Sequence, residues 1–270
     1  MPDLSQQNLH GRTALVTGAA RGLGRAYAHA LAAHGADVAV LDIDLASFMQ
    51  FAGEQAAMTA ASTAEEIRAM GRRSIEIACD TTDAAAVRAA VDDIVEQWGR
   101  LDIVVCNAGG GSGRPSQSRP SIMDLAEFDV VLRRNLHSTV HTCQAVAPIM
   151  RSQSYGKIIT VASRAGLEPI SDGGYAHYGT AKAAVVMYSK YLAQELGPEG
   201  ITVNCIAPGS IATGRLAPLF ERAGDALVDR IALRRVGTPQ DCAGVVAFLA
   251  GPASDYLTGA VIPVDGGASR

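Results

Sequence analysis

The sequence predicts an α/β fold: a doubly wound parallel sheet of seven strands with helices on both faces. Short apolar runs rich in Val and Ile alternate with Ala-rich helical stretches along the 270 residues. The runs are continuously apolar, as suits strands buried on both faces. A glycine-rich turn joins the first run to the first helical stretch, where sheets of this kind open a ligand crevice. Nothing in the composition marks a linker, so residues 1–270 are expected to form one domain.

The first strand, TALVTG, runs into Thr17-Gly18-Ala19-Ala20-Arg21-Gly22-Leu23-Gly24 and then into a helix, RAYAHALAAHG, that stops at Gly35. Glycine allows the backbone to turn tightly and approach a pyrophosphate, and the free N–H groups of the following helix then bind the anion. The second strand, VAVLDI, ends near Asp42, roughly 20 residues on, where a ribose-binding carboxylate belongs. Such a carboxylate accepts hydrogen bonds from ribose hydroxyls and repels a 2′-phosphate, so NAD is expected over NADP. Arg21 argues the other way, as a base beside the turn. Asp44 is an alternative to Asp42, on the same side of the strand but further out.

The connection from Asp44 to Ala61, DLASFMQFAGEQAAMTAA, is long, and the sequence assigns it no role. Thr63 and Glu66 then suggest a capping-box start for a helix stopping at Gly71. SIEIACD and LDIVVCNAG read as strands three and four. After them comes GGGSGRPSQSRPS, Gly109 to Ser121, at the crevice end of the sheet and so a candidate substrate loop. KIITVAS is the fifth strand and ends beside Ser163. ITVNCIAPG is the sixth, followed by a second substrate-proximal stretch, 210–236, and AVIPVDGG is the seventh, at an edge.

Fifteen residues after Ser163, Tyr178-Gly179-Thr180-Ala181-Lys182 opens a long apolar helix. Tyr and Lys at i and i+4 share one helix face, so the ammonium can stabilise a phenolate. A phenol with pKa about 10 is a poor base at neutral pH, and lowering it by about three units takes roughly 4 kcal/mol. With that help Tyr178 accepts or donates a proton.

Taken together these motifs resemble the short-chain dehydrogenase/reductase family, with its Rossmann-type dinucleotide fold, from about Gly11 to Gly267. The Gly18–Gly22–Gly24 turn with Leu23 looks like that family's cofactor motif, and Asn107-Ala108-Gly109 like the segment that steadies its sheet. Ser163, Tyr178 and Lys182 look like its catalytic trio, with Asn135 in RRNLHST as the fourth member, whose helix distortion holds a proton-relay water. The resemblance implies that Asp80 bonds the adenine amino group. It also implies that Pro208, Gly209, Ile211 and Thr213 border the nicotinamide, and that Lys182 bonds its ribose while lowering the Tyr178 pKa. The implied reaction is hydride transfer between a secondary alcohol, or its ketone, and NAD. An NADP-dependent reductase of the 3-oxoacyl type and a non-catalytic dinucleotide sensor are the alternatives.

Arg114 and Arg119 lie in the loop after the fourth strand, Arg164 follows Ser163, and Arg215 lies near Thr213. If they face the substrate, the expected substrate is anionic, held by charge-assisted hydrogen bonds. The stretch RLAPLFERAGDALVDRIALRRVG looks like that family's mobile lid, its Leu, Phe and Ile side chains forming an apolar wall.

Hydrophobic residues make up 48% and charged residues 19%, with mean hydropathy +0.14, enough to fill a large core. A net charge of -4 gives no basic field for nucleic acid. The absence of a signal-like N-terminus or of about 18 consecutive apolar residues implies a cytoplasmic protein, with no membrane partner. The five cysteines show no CxxC pairing and read as reduced core residues, and no metal site is expected. The helix AAVVMYSKYLAQEL is apolar on more than one face and the last strand lies at an edge. Both suggest subunit contacts, and the family resemblance implies a homotetramer.

Overall fold

The computed structural model describes residues 8–113, 115–216, 220 and 224–268. Seven strands form one sheet: β1 (Thr13–Thr17), β2 (Asp37–Asp42), β3 (Ser74–Ala78), β4 (Ile103–Cys106), β5 (Gly156–Val161), β6 (Ile201–Pro208) and β7 (Val261–Val264). Their order is β3-β2-β1-β4-β5-β6-β7, and every neighbouring pair is parallel. The order reverses between β1 and β4, which opens a crevice beyond the carboxyl ends of the strands.

The helices are α1 (Gly22–Ala33), α2 (Ala52–Ala56), α3 (Thr63–Ala69), α4 (Ala84–Trp98), α5 (Leu125–Leu132), α6 (Ser138–Gln153), α7 (Ala176–Leu196), α8 (Asp225–Val228) and α9 (Pro239–Ala250). They explain why the strands are apolar throughout. Val16, Val38, Val40, Ile103 and Val105 pack on one face with Tyr27 and Leu31 of α1 and Val246 and Leu249 of α9. The intervening Leu15, Leu41, Val104 and Ile158 pack on the other with Ile94 of α4, Met150 of α6 and Leu196 of α7. Each such side chain, fully buried, contributes about 1.5–3 kcal/mol. The five cysteines are buried and free.

One expectation needs correction. The helix after Ala61 is capped by Ser62, whose hydroxyl accepts the Glu65 N–H at 3.2 Å, and not by a Thr63–Glu66 box. Glu66 is drawn away because its carboxylate pairs with Arg25 of α1 at 2.6 and 2.7 Å and accepts the Thr59 N–H at 2.7 Å. It thereby fastens the end of the 44–61 segment to α1. No described helix is long and apolar enough to cross a membrane.

Candidate active site

A cleft of about 910 Å³ lies over the carboxyl ends of the strands. At one end is the turn after β1. Gly18 and Gly22 have φ of +64° and +57°, conformations that favour glycine. A Cβ on Gly24 would run into the Gly18 carbonyl, so the helix can start this close to the strand only with glycine there. The turn is locked from β4: Asn107 Nδ2 donates to the carbonyls of Thr17 and Gly18, both at 3.0 Å, and Thr17 Oγ1 accepts the N–H groups of Asn107 and Ala108. Arg21, the residue before α1, makes no side-chain capping bond, which leaves the first N–H groups of α1 uncapped by it, an anion seat at the positive end of the dipole.

Asp42 is nearly buried and lines the cleft, accepting the Ala20 N–H at 3.0 Å and the Asp44 N–H at 3.2 Å. Burial pushes its carboxyl above the usual range, against those hydrogen bonds and the nearby Arg21. Asp44 and Asp80 also line the cleft but are exposed. The connection after β2, to which the sequence assigned no role, adds Ser47 and Gln50 to the wall. The Ser47 hydroxyl is buried and has no protein partner, so a polar ligand group at this end would find a donor and acceptor waiting. The glycine turn, the anion seat, Asp42 and Ser47 together fit the phosphates and adenosine ribose of a dinucleotide.

At the other end, Ser163, Tyr178 and Lys182 line the same cleft with Gly109, Pro208, Gly209, Ile211 and Thr213. Ser163 caps the 3₁₀ turn Arg164–Gly166 by accepting the Ala165 N–H at 3.2 Å. Tyr178 and Lys182 are on the first turns of α7, as the i and i+4 spacing requires. Lys182 Nζ donates to the Val161 carbonyl at 2.8 Å and lies 5.8 Å from the Tyr178 ring centre. The expected lowering of the phenol by this lysine is not what the structure shows. Burial pushes Tyr178 above its ordinary value, opposed by a hydrogen bond with Ser163 and by the charge of Arg215. Burial also pushes the Lys182 ammonium down to about 8. The ammonium is directed at a backbone carbonyl, away from the role the spacing gave it.

Asn135 is fully buried behind the wall and does not line the cleft. It sits in a π-helical turn, Arg133–His137, that joins α5 to α6, so the helix distortion is present. Its carboxamide accepts the Gly110 N–H at 2.9 Å and donates to the carbonyls of Gly110 and Val131 at 3.0 and 2.8 Å. A Cβ on Gly109 would lie 2.5 Å from Asn135 Oδ1 and 3.4 Å from Lys182 Nζ, so that glycine is what lets loop, asparagine and lysine meet.

The loop from Gly109 to Ser121 is pinned onto the start of α7. His177 Nε2 meets the Ser112 carbonyl at 3.2 Å, and the Tyr175 N–H donates to Ser118 Oγ at 3.1 Å. Tyr175, at φ 57°, is thereby placed edge-on to Tyr178, with ring centres 6.4 Å apart, and forms a cleft wall with Leu216 and with Ile170; the sequence reading missed Tyr175 and Ile170. No spacing rule marks these residues.

The arginines separate. Arg215 lines the cleft and donates to the Gly111 carbonyl at 3.4 Å. Arg164 does not line it; its guanidinium faces Glu168 one turn on, at 3.7 Å. Arg119 is exposed and outside it. Arg114 lies outside the described residues. In the 210–236 stretch Leu216 meets the expectation of an apolar wall, but Ile231 is buried elsewhere, against Gly266, and Leu233 is exposed.

Comparison with known proteins agrees with this geometry. Residues 18–269 match the family model described as enoyl-(acyl carrier protein) reductase. A cyclohexanol dehydrogenase of Rhodococcus sp. (strain TK6) is 57% identical over 260 residues, 96% of each chain. A short-chain type dehydrogenase/reductase from Mycobacterium marinum superposes with a TM-score of 0.87 at 36% identity, covering 98% of both chains. A 7α-hydroxysteroid dehydrogenase, solved with NADH and 7-oxo glycochenodeoxycholic acid, does so with 0.86 at 31% identity, covering 99% of this chain and 98% of that one. The seven-stranded parallel sheet is thus that of an oxidoreductase family, and the chain belongs to the short-chain dehydrogenases/reductases.

Proposed function

We propose that the protein is an NAD-dependent dehydrogenase that oxidises a neutral, alicyclic secondary alcohol of the cyclohexanol type to its ketone. The carrying observation is the 57% identity to a cyclohexanol dehydrogenase over nearly all of both chains. The substrate end agrees with it: Tyr175, Ile170 and Leu216 offer an apolar wall, and of the candidate arginines that are described only Arg215 lines the cleft. NAD, as opposed to NADP, is supported by Asp42 at the ribose position.

When bound, NAD supplies the hydride acceptor. The Ser163 hydroxyl holds the substrate oxygen, and Tyr178 Oη takes the hydroxyl proton as hydride leaves the same carbon. Lys182, adjoining both Tyr178 and Gly109, would hold the nicotinamide ribose. Asn135 acts as a positioning residue by fixing Gly110, and its π-turn would hold a water that connects Lys182 to solvent. Asp80 would bond the adenine, and Pro208, Gly209, Ile211 and Thr213 would border the nicotinamide. The exposed Met187 and Tyr191 on α7 and Leu125 on α5 support a homotetramer.

Turnover of cyclohexanol and of anionic secondary alcohols, followed as NADH formation, tests this reading. Wild-type protein is expected to favour the neutral substrate, and Tyr178→Phe to bind NADH while losing about 10³-fold in kcat. Substantial activity in Tyr178→Phe, or turnover of anionic substrates alone, would overturn it.

A further inference from the structure

The segment after β2 places a carboxylate where the cofactor's identity is decided. Its 3₁₀ turn Ser47–Gln50 and helix α2 fold back over the glycine turn and bring Glu54 and Phe51 onto Arg21. Arg21 lines the cleft, its guanidinium 4.7 Å from the Phe51 ring centre and 3.7 Å from Glu54 Oε2. Glu54 Oε1 accepts the Gly214 N–H at 2.8 Å, which fixes the carboxylate from the opposite wall. Oε2 is buried and has no hydrogen bond, so the Arg21 charge is what compensates it.

The segment is also fixed from behind. Arg25, in the first turn of α1, donates to the Ala57 carbonyl and pairs with Glu66, which also holds Thr59. Both cations at the start of α1 are therefore engaged by carboxylates. Asp42 and Asp44, on the neighbouring strand end, add negative charge on the same side of the cleft.

We propose that Glu54 is a cofactor-selecting residue: by pairing with Arg21, it withdraws the cation beside the glycine turn that would receive the 2′-phosphate of NADP. This rests on the reading of the Asp42 end as the adenosine-ribose site. NADP would have to break the Arg21–Glu54 pair and face Glu54 and Asp42 with an added dianion, whereas NAD, with a bare 2′-hydroxyl, asks nothing of Arg21. Discrimination is thus shared between Asp42, which any reading of the strand would name, and a carboxylate supplied twelve residues later by a separate piece of chain.

The test is the ratio of kcat/KM with NADP to that with NAD, together with NADPH and NADH binding by fluorescence, in wild type, Glu54→Gln, Arg21→Ala and the double variant. Glu54→Gln keeps an oxygen for the Gly214 N–H, and any disturbance of that loop moves both cofactors alike and cancels in the ratio. The ratio should rise about tenfold in Glu54→Gln, the scale of one partly buried charge contact, and the gain should vanish when Arg21 is alanine. An unchanged ratio in Glu54→Gln overturns the proposal, and so does a gain that survives the loss of Arg21. A wild type that prefers NADP would sink the NAD reading alone, and the dependence of the Glu54→Gln effect on Arg21 would still decide the role of Glu54.

Discussion

At the phosphate end of the cleft, positions are set by main chain. Gly18, Gly22 and Gly24 shape the turn, and the Asn107 carboxamide ties two of its carbonyls to β4. At the substrate end the walls are side chains: Tyr175, Ile170, Arg215 and Leu216, from two loops far apart in sequence. Main-chain geometry is dictated by a few adjacent residues and tolerates no added atom. A side-chain wall depends on how loops dock and can be altered piecemeal. The two ends should therefore respond differently to substitution.

The largest contrast is expected from Gly24→Ala. The new methyl group meets the Gly18 carbonyl and lies 2.7 Å from Asn107 Nδ2, both held in place, so the turn must move. Dinucleotide affinity should fall more than about a hundredfold, the equivalent of at least about 2.7 kcal/mol, as measured by NADH titration. Unaltered binding would mean that the turn is as pliable as the substrate loops.

A smaller effect is expected at the support behind the phosphate end. Burial raises the Glu66 carboxyl, but hydrogen bonds from Arg25 and Thr59 win and hold it at about 2. A folded-state pKa below the unfolded value stabilises the protein above the unfolded pKa, a contribution lost as pH falls through the folded one. Glu66→Gln should therefore cost about 2 kcal/mol near neutrality, with the gap to wild type in thermal or urea unfolding closing between about pH 4.5 and 2. A gap that does not change with pH would show the carboxylate to be replaceable by any acceptor.

The smallest change is expected at Arg164. Its guanidinium faces Glu168 and is outside the cleft. Arg164→Ala should leave KM for the alcohol within about twofold, less than the roughly 1.4 kcal/mol of a tenfold change. A large rise in KM would mean that the 3₁₀ turn after Ser163 swings this side chain over the substrate.

The sequence by itself determined much of the fold and named most of the residues that meet at the candidate site. Continuous apolar runs required a sheet covered on both faces. The glycine spacing, Asp42, Ser163 and the Tyr178–Lys182 pair are local patterns whose geometry follows from a strand end, a tight turn and one helical turn. Tertiary structure alone decided the rest, because it depended on contacts between distant segments. Glu66 was free, on sequence, to cap its own helix, and only the approach of Arg25, 41 residues earlier, took it. Lys182 had the spacing to lower Tyr178, but burial and the Val161 carbonyl set its charge and direction. The segment from Asp44 to Ala61 has no periodicity that announces a role. Its place over Arg21 is fixed by Gly214, 160 residues from Glu54, a pairing that no pattern in the chain records.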